Sequence, residues 1–403
     1  MKVTAKTLLI PTFYLLVISP FIYYLEAIQS ILMILTGLQL LSLTKFSDLK
    51  ITAKNVPFIG SFFILTFYYL FYFGSSSLKL IGESFLLFLA PLWSYYLYQI
   101  DSFIRHRKRI QLAYSISVSL LCMYFIGFYI IDIPNHHFDW YLARYNLEFY
   151  CKIHGTYICL WIGIALLFLV DYISDIKDHS KGLKLCFLLL FVNLLLGLII
   201  YNSRNIILGL LVIVIIRFTI LKKQKIVLPI KLKVITGLII AAVVLLSQRY
   251  LDAFHFIAND SFANSTRYAS WTCSMELINE SHFLGMDYSL IQQRLDQCYQ
   301  SFDNFELKKF RINSHNQYLD FLLKGGFLLL VTFLWTLFLK IKEALKQQQY
   351  LYLSITILFL ISFITENILV RQYGIYIYFV CDVLLLGAVF RNKDHSIHEI
   401  EKS

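Results

Sequence analysis

The chain has 403 residues, of which 58% are hydrophobic and only 15% charged, with a mean hydropathy of +0.66. Soluble domains carry about 25% charged and about 45–50% apolar residues, so an ordinary soluble enzyme, a disordered chain, a coiled coil and a disulfide scaffold are all excluded. The formal net charge of +11 would suggest nucleic acid in a soluble protein. In a chain of long apolar runs it reads instead as topology, with Lys and Arg held on the cytoplasmic side, and no nucleic-acid partner is expected.

Runs of roughly 16–22 apolar residues are long enough to cross a bilayer, and twelve occur. The first six are Leu8–Tyr24, Ala27–Leu43, Val56–Phe73, Leu80–Ile100, Ile110–Ile131 and His154–Val170. The second six are Leu185–Tyr201, Ile206–Leu221, Val234–Gln248, Gln317–Leu339, Tyr350–Leu369 and Gly374–Phe390. The first follows Lys2 and Lys6 but no small-residue cleavage site comes after it, so it reads as a retained helix rather than a signal peptide. The expected fold is therefore an all-α polytopic integral membrane protein with about twelve transmembrane helices.

Basic residues test that count. With a cytoplasmic N-terminus, alternate connections should carry the positive charge. They do: Lys45, Lys50 and Lys54; Arg105 to Arg109; Lys177, Lys181 and Lys184; Lys222 to Lys233; Lys340, Lys342 and Lys346; then the tail. Both termini are expected in the cytoplasm. On the opposite side two connections are long, near 132–153 and 249–316, and the second is large enough for a small folded subdomain. Three regions follow: 1–201 with seven helices, 202–391 with the large loop, and a tail at 392–403. No internal repeat is visible, unlike many transporters.

Basic residues on the outer side are not asked for by topology. Arg204 lies in Asn202-Ser203-Arg204-Asn205 between two apolar runs, where a guanidinium beside a helix start suits phosphate; a snorkelling interfacial Arg is the alternative. Arg267 follows Ser265, a natural helix N-cap. It falls in a first turn where the dipole disfavours a cation, unless Glu276 or Asp260 pairs with it. Arg371 follows Glu366, and an ion pair between them is the plain reading. His315, where the large loop re-enters the membrane, can serve as general base near neutral pH or as a structural residue. His136 and His137 are adjacent and read as surface groups.

The seven cysteines show no CxxC pair and no metal spacing; a disulfide among Cys151, Cys273 and Cys298 cannot be paired from sequence. No phosphate loop, nucleophile elbow, zinc-helix motif or Asp-x-Asp pair is present. A transferase built this way would use a donor already activated and already in the membrane, with no cofactor and no metal.

Three segments carry a resemblance. They are Asn202-Ser203-Arg204-Asn205-Ile206-Ile207-Leu208; Thr266-Arg267-Tyr268 through Trp271 with Glu280 to Gly285; and Ser314-His315-Asn316-Gln317-Tyr318-Leu319 with Gly325-Gly326. In order and placement these resemble the bacterial O-antigen ligase and polymerase superfamily over about 202–389. The first half matches it only in hydropathy. The resemblance implies a C-type glycosyltransferase-like fold in the bacterial inner membrane with its site facing the periplasm. It also implies transfer of O-antigen from undecaprenyl diphosphate to the lipid A–core oligosaccharide, inverting and independent of metal and ATP. Carried over residue by residue, Arg204 and Arg267 would hold the donor diphosphate and His315 would take the acceptor's proton. Arg144, Arg371 and Asn316 would make secondary substrate contacts. An O-antigen polymerase is the nearest alternative, and a lipid-linked oligosaccharide flippase a more distant one.

Overall fold

The computed structural model describes residues 2–22, 26–43, 56–73, 77–98, 100–137, 140–175, 180–223, 265–309 and 311–390. Helices and turns make up all of its regular structure, with no strand among the described residues. The first five long helices are α1 (Lys2–Ile18), α2 (Glu26–Leu43), α3 (Val56–Phe73), α4 (Ser77–Leu97) and α5 (Asp101–Ile131). After two shorter ones, α6 (Ile133–His136) and α7 (Trp140–Cys151), come α8 (Gly155–Asp175), α9 (Lys181–Tyr201) and α10 (Arg204–Lys223). The large loop contributes α11 (Thr266–Glu280), α12 (Tyr288–Tyr299) and α13 (Phe305–Lys309). The chain returns through α14 (Gln317–Lys346), α15 (Tyr350–Phe363) and α16 (Gln372–Phe390).

Eleven of the twelve apolar runs coincide with helices, and the ninth, Val234–Gln248, lies outside the described residues, as do 249–264 and the tail. Among the described residues, six helices are long and apolar enough to cross a membrane: α3, α5, α8, α9, α14 and α16. Helices α1, α2 and α15 are apolar but shorter. The fold is an all-α polytopic membrane protein.

Burial separates the helices into an inner pair and an outer shell. In α8 and α16, 78% of the apolar window is buried, against 22% in α3. Helix α8 packs on α5, α9, α10 and α15, while α16 packs chiefly on α4. Phe67 and Phe71 of α3 stand exposed, as a lipid-facing surface permits where a water-facing one would not.

Several polar groups inside the bundle are paired, as expected where an unmet donor in hydrocarbon costs several kcal/mol, although both carboxamide atoms of buried Gln29 and Gln111 have no hydrogen-bond partner among the described residues. The Ser94 hydroxyl donates to the Val383 carbonyl (3.0 Å) and the Tyr98 hydroxyl to that of Leu384 (2.7 Å), joining α4 to α16. Lys340 donates to Asp382 (2.5 Å) and Tyr378 (3.1 Å), and Tyr352 donates to Asp382 (2.7 Å), tying α14, α15 and α16. Lys324, one of the outer cations, is likewise consumed by structure: it meets Asp320 at 2.9 Å and Glu83 at 3.2 Å.

The large loop has its own small core of Ala269, Cys273, Leu277, Ile278, Ile291, Leu295 and Tyr299. A disulfide joins Cys273 on α11 to Cys298 on α12, while Cys151 is a buried thiol outside that bridge, its sulfur accepting from the Tyr201 hydroxyl. The loop is anchored at a break in α14. Gly326 adopts φ 62°, ψ −161° within that helix. The freed backbone pairs with the turn after α11: Phe327 N–H donates to the Phe283 carbonyl and Met286 N–H to that of Leu323, both at 2.7 Å. Gly285, at φ +87°, sits so close that a Cβ would lie 2.7 Å from the Gly326 nitrogen. Only glycine fits either position.

Candidate active site

Three stretches of backbone build the site. The first is the segment leading into α14. Asn316 caps that helix, its side-chain oxygen accepting from the Tyr318 (2.9 Å) and Leu319 (3.2 Å) N–H groups. This commits the carboxamide oxygen of a residue expected to touch substrate. Just before the cap, His315 takes a left-handed conformation, φ 45°, with its N–H donated to Asn313 Oδ1 at 3.0 Å. A non-glycine residue held there is uncommon, and the conformation turns the imidazole away from the helix line.

The second stretch is the connection between α15 and α16. Glu366 is 5% exposed and Asn367 wholly buried. Asn367 exchanges hydrogen bonds with the Ser314 hydroxyl at 3.0–3.2 Å, and its carbonyl accepts from the Tyr157 hydroxyl at 3.1 Å. Gln317 accepts from Leu369 N–H at 2.7 Å. The residues on either side of His315 and Glu366 are thus bolted together, and the two functional side chains are placed face to face. Nδ1 of His315 lies 3.6 Å from Glu366 Oε1, an ion-pair distance rather than a hydrogen bond.

The third stretch, between α7 and α8, supplies His154, whose Nδ1 is 3.9 Å from Glu366 Oε2. Glu366 therefore sits between two imidazoles. Burial pushes its carboxyl up, but the contact with His315 and the charges of His315, His154 and Arg267 outweigh that and hold it below the ordinary carboxylate value. His154 is lowered, first by burial, against the opposing pull of Glu148 and Glu366. These groups open on a cavity of about 310 Å³ lined by Lys152, His154, Arg311, His315, Glu366 and Arg371 among others.

The expected ion pair of Arg371 with Glu366 is replaced by the two histidine contacts, because the turn at Ile368–Val370 carries Arg371 outward to the exposed cavity rim. Arg267 occupies the first turn of α11 behind the Ser265 cap, which accepts from Tyr268 N–H at 3.1 Å. Its pKa is lowered, chiefly by loss of hydration; Glu366 acts against this, and Arg144 and Arg204 add to the lowering. Arg144, Arg204 and Arg267 thus share one electrostatic neighbourhood with Glu366. Arg204 is exposed at the first position of α10, where its guanidinium stands beside a helix start. Arg144 is engaged by Glu148 (2.7 Å), which also accepts from Gly155 N–H at 2.8 Å.

Two members escaped the sequence reading. In the sequence Glu366 reads only as a partner for Arg371, and His154 only as the start of an apolar run. A signal did exist for the acid. It is an isolated carboxylate at the end of an apolar span, a position that carries charge only for a reason.

Such an arrangement has a recognisable chemistry. An imidazole backed by a buried carboxylate can accept a proton from a hydroxyl, and a rim of guanidiniums can hold an anionic leaving group. A family model described as O-antigen ligase matches residues 188–334, a stretch that contains Arg204, Arg267, His315 and Asn316. No curated protein matches the chain. Over that region the chain is similar to the O-antigen ligase family.

Proposed function

We propose that this multi-pass membrane protein, whose residues 188–334 carry the O-antigen ligase family region, is an O-antigen ligase acting in lipopolysaccharide biosynthesis. The donor is O-polysaccharide on undecaprenyl diphosphate, and the acceptor is a hydroxyl of the lipid A–core. The observation that carries this reading is the convergence of His315, Glu366, Arg311 and Arg371 on one cavity, with the charge of Arg267 felt at Glu366.

In the reaction, His315 uses the ring nitrogen opposite Glu366, Nε2, to take the proton of the acceptor hydroxyl. The hydroxyl oxygen attacks the anomeric carbon as that carbon's bond to the diphosphate oxygen breaks, so the configuration inverts. The electron pair leaves on undecaprenyl diphosphate, and Arg267 and Arg204, with Arg371 at the rim, stabilise the added negative charge. Glu366 holds the imidazole and stabilises the imidazolium. The energy comes from the donor's diphosphate linkage, so ATP and a metal ion are not required. The Cys273–Cys298 disulfide supports placing the large loop in the oxidising periplasm, in line with the inner-membrane orientation given by the basic connections.

The test is complementation of a ligase-null strain that makes O-antigen and carries a matched core, with surface lipopolysaccharide resolved on a gel. Wild type should restore the ladder, and well-expressed His315→Ala should not. Restoration of chain length in a polymerase-null strain instead would reassign the acceptor to a lipid-linked repeat, and silence in both would overturn the transferase reading.

A further inference from the structure

Helix α12 has two unlike faces. Ile291, Leu295 and Tyr299 are buried in the loop core, and Cys298 is tied to α11. Its opposite side carries Ser289, Gln292, Gln293, Asp296, Gln297 and Gln300, which with Arg311 line an open cleft of about 520 Å³. A solvated helix face is ordinarily filled with Lys, Glu and Arg. Here the helix's lone guanidinium, Arg294, is turned aside onto Glu280, and the cleft is lined with carboxamides.

Part of that polar set is fixed and part is open. Gln292 donates to Asp296 Oδ1 at 2.8 Å and to the Ile312 carbonyl at 3.0 Å, which sets the floor of the cleft. Gln293 and Gln297, one helical turn apart, are exposed above it. The cleft borders the catalytic cavity, since Arg311 lines both and the neighbouring Ile312 and Asn313 line the latter.

We propose that this face of α12 is a saccharide-binding subsite that holds glycan hydroxyls outside the catalytic cavity. A carboxamide offers a donor and an acceptor side by side, and a carboxylate offers paired acceptors. These match vicinal hydroxyls, whereas a phosphate or a lipid tail would call for cations or apolar walls. The inference rests on the transferase reading above and deepens it, by giving the glycan a path leading to His315 along residues 311–313. Two saccharides share this chemistry, the donor's repeat units and the acceptor's core oligosaccharide.

The experiment uses the full chain in nanodiscs, titrated with two probes: O-antigen oligosaccharide released from its lipid by mild acid, and core oligosaccharide released the same way. Wild type is compared with Gln293→Ala/Gln297→Ala, exposed positions where alanine favours the helix, so the fold is retained. Loss of two neutral hydrogen-bonding groups should weaken binding of one probe about tenfold, and the probe affected identifies the source. In transfer assays the same variant should raise KM for that substrate and leave kcat unchanged. Equal binding of both probes by wild type and variant would overturn the subsite even if transfer proceeds. A binding difference without any transfer by wild type would instead leave the subsite standing and remove the transferase reading.

Discussion

Glu366→Gln isolates what the buried carboxylate does, because it keeps the shape of the side chain and removes only its charge. Nδ1 of His315 lies 3.6 Å from that carboxylate. A full charge at this distance is worth about 4 kcal/mol at an effective dielectric of about 20. If the proton is half transferred at the transition state, about 2 kcal/mol is lost, and with full transfer the whole amount. The expected fall in kcat is therefore roughly 30-fold to 1,000-fold. Donor KM should hardly change, since the diphosphate contacts lie on the arginines. Purified enzyme in nanodiscs, assayed with saturating acceptor and varied lipid-linked donor, separates the two. His315→Ala should be at least as damaging. Retention of kcat within threefold, or a loss confined to donor KM, would refute the assignment of Glu366 as the group that holds and charges-balances the base.

The remaining predictions concern placement and stability. Asn367→Ala removes the buried partner of Ser314 and should cost about 1–3 kcal/mol, seen as a lower melting temperature together with reduced transfer. Cys273→Ser opens the bridge between α11 and α12; it should weaken the loop by about 2–4 kcal/mol, so limited proteolysis should nick the loop while the bundle stays intact. Gly326→Ala places a Cβ 2.3 Å from the Phe283 carbonyl oxygen, and folded yield should collapse, whereas an exposed helix position such as Gln293→Ala should not affect it. His154 is lowered and Glu366 is lowered in the folded protein, so the unfolded chain binds protons first on acidification. Stability should therefore fall as pH drops below about 6.5 through the histidine, and again below about 4.5 through the carboxylate. His154→Gln should flatten the first limb in a melting series across pH, and an unchanged slope would contradict the lowering of that imidazole in the folded protein.

The sequence by itself determined the helical membrane class and the position of nearly every described span, because a bilayer imposes a length and an apolar composition that can be counted along the chain. It also placed the Ser265 cap, since capping is settled by residues within one turn. Arg267 and His315 were legible as unneeded polar groups. Tertiary structure alone decided the rest. Glu366 meets His315 across 51 positions of sequence and His154 across a further helix system; the Ser314–Asn367 and Gln317–Leu369 bonds that align them involve ordinary residues with no local signature. The disulfide partner was likewise a matter of how α11 and α12 pack. Arg371 looked like the natural mate of Glu366 by proximity along the chain, and a single tight turn sent it elsewhere. Periodicity and caps are local properties of a chain, whereas a charge is matched by whatever the packed helices bring beside it.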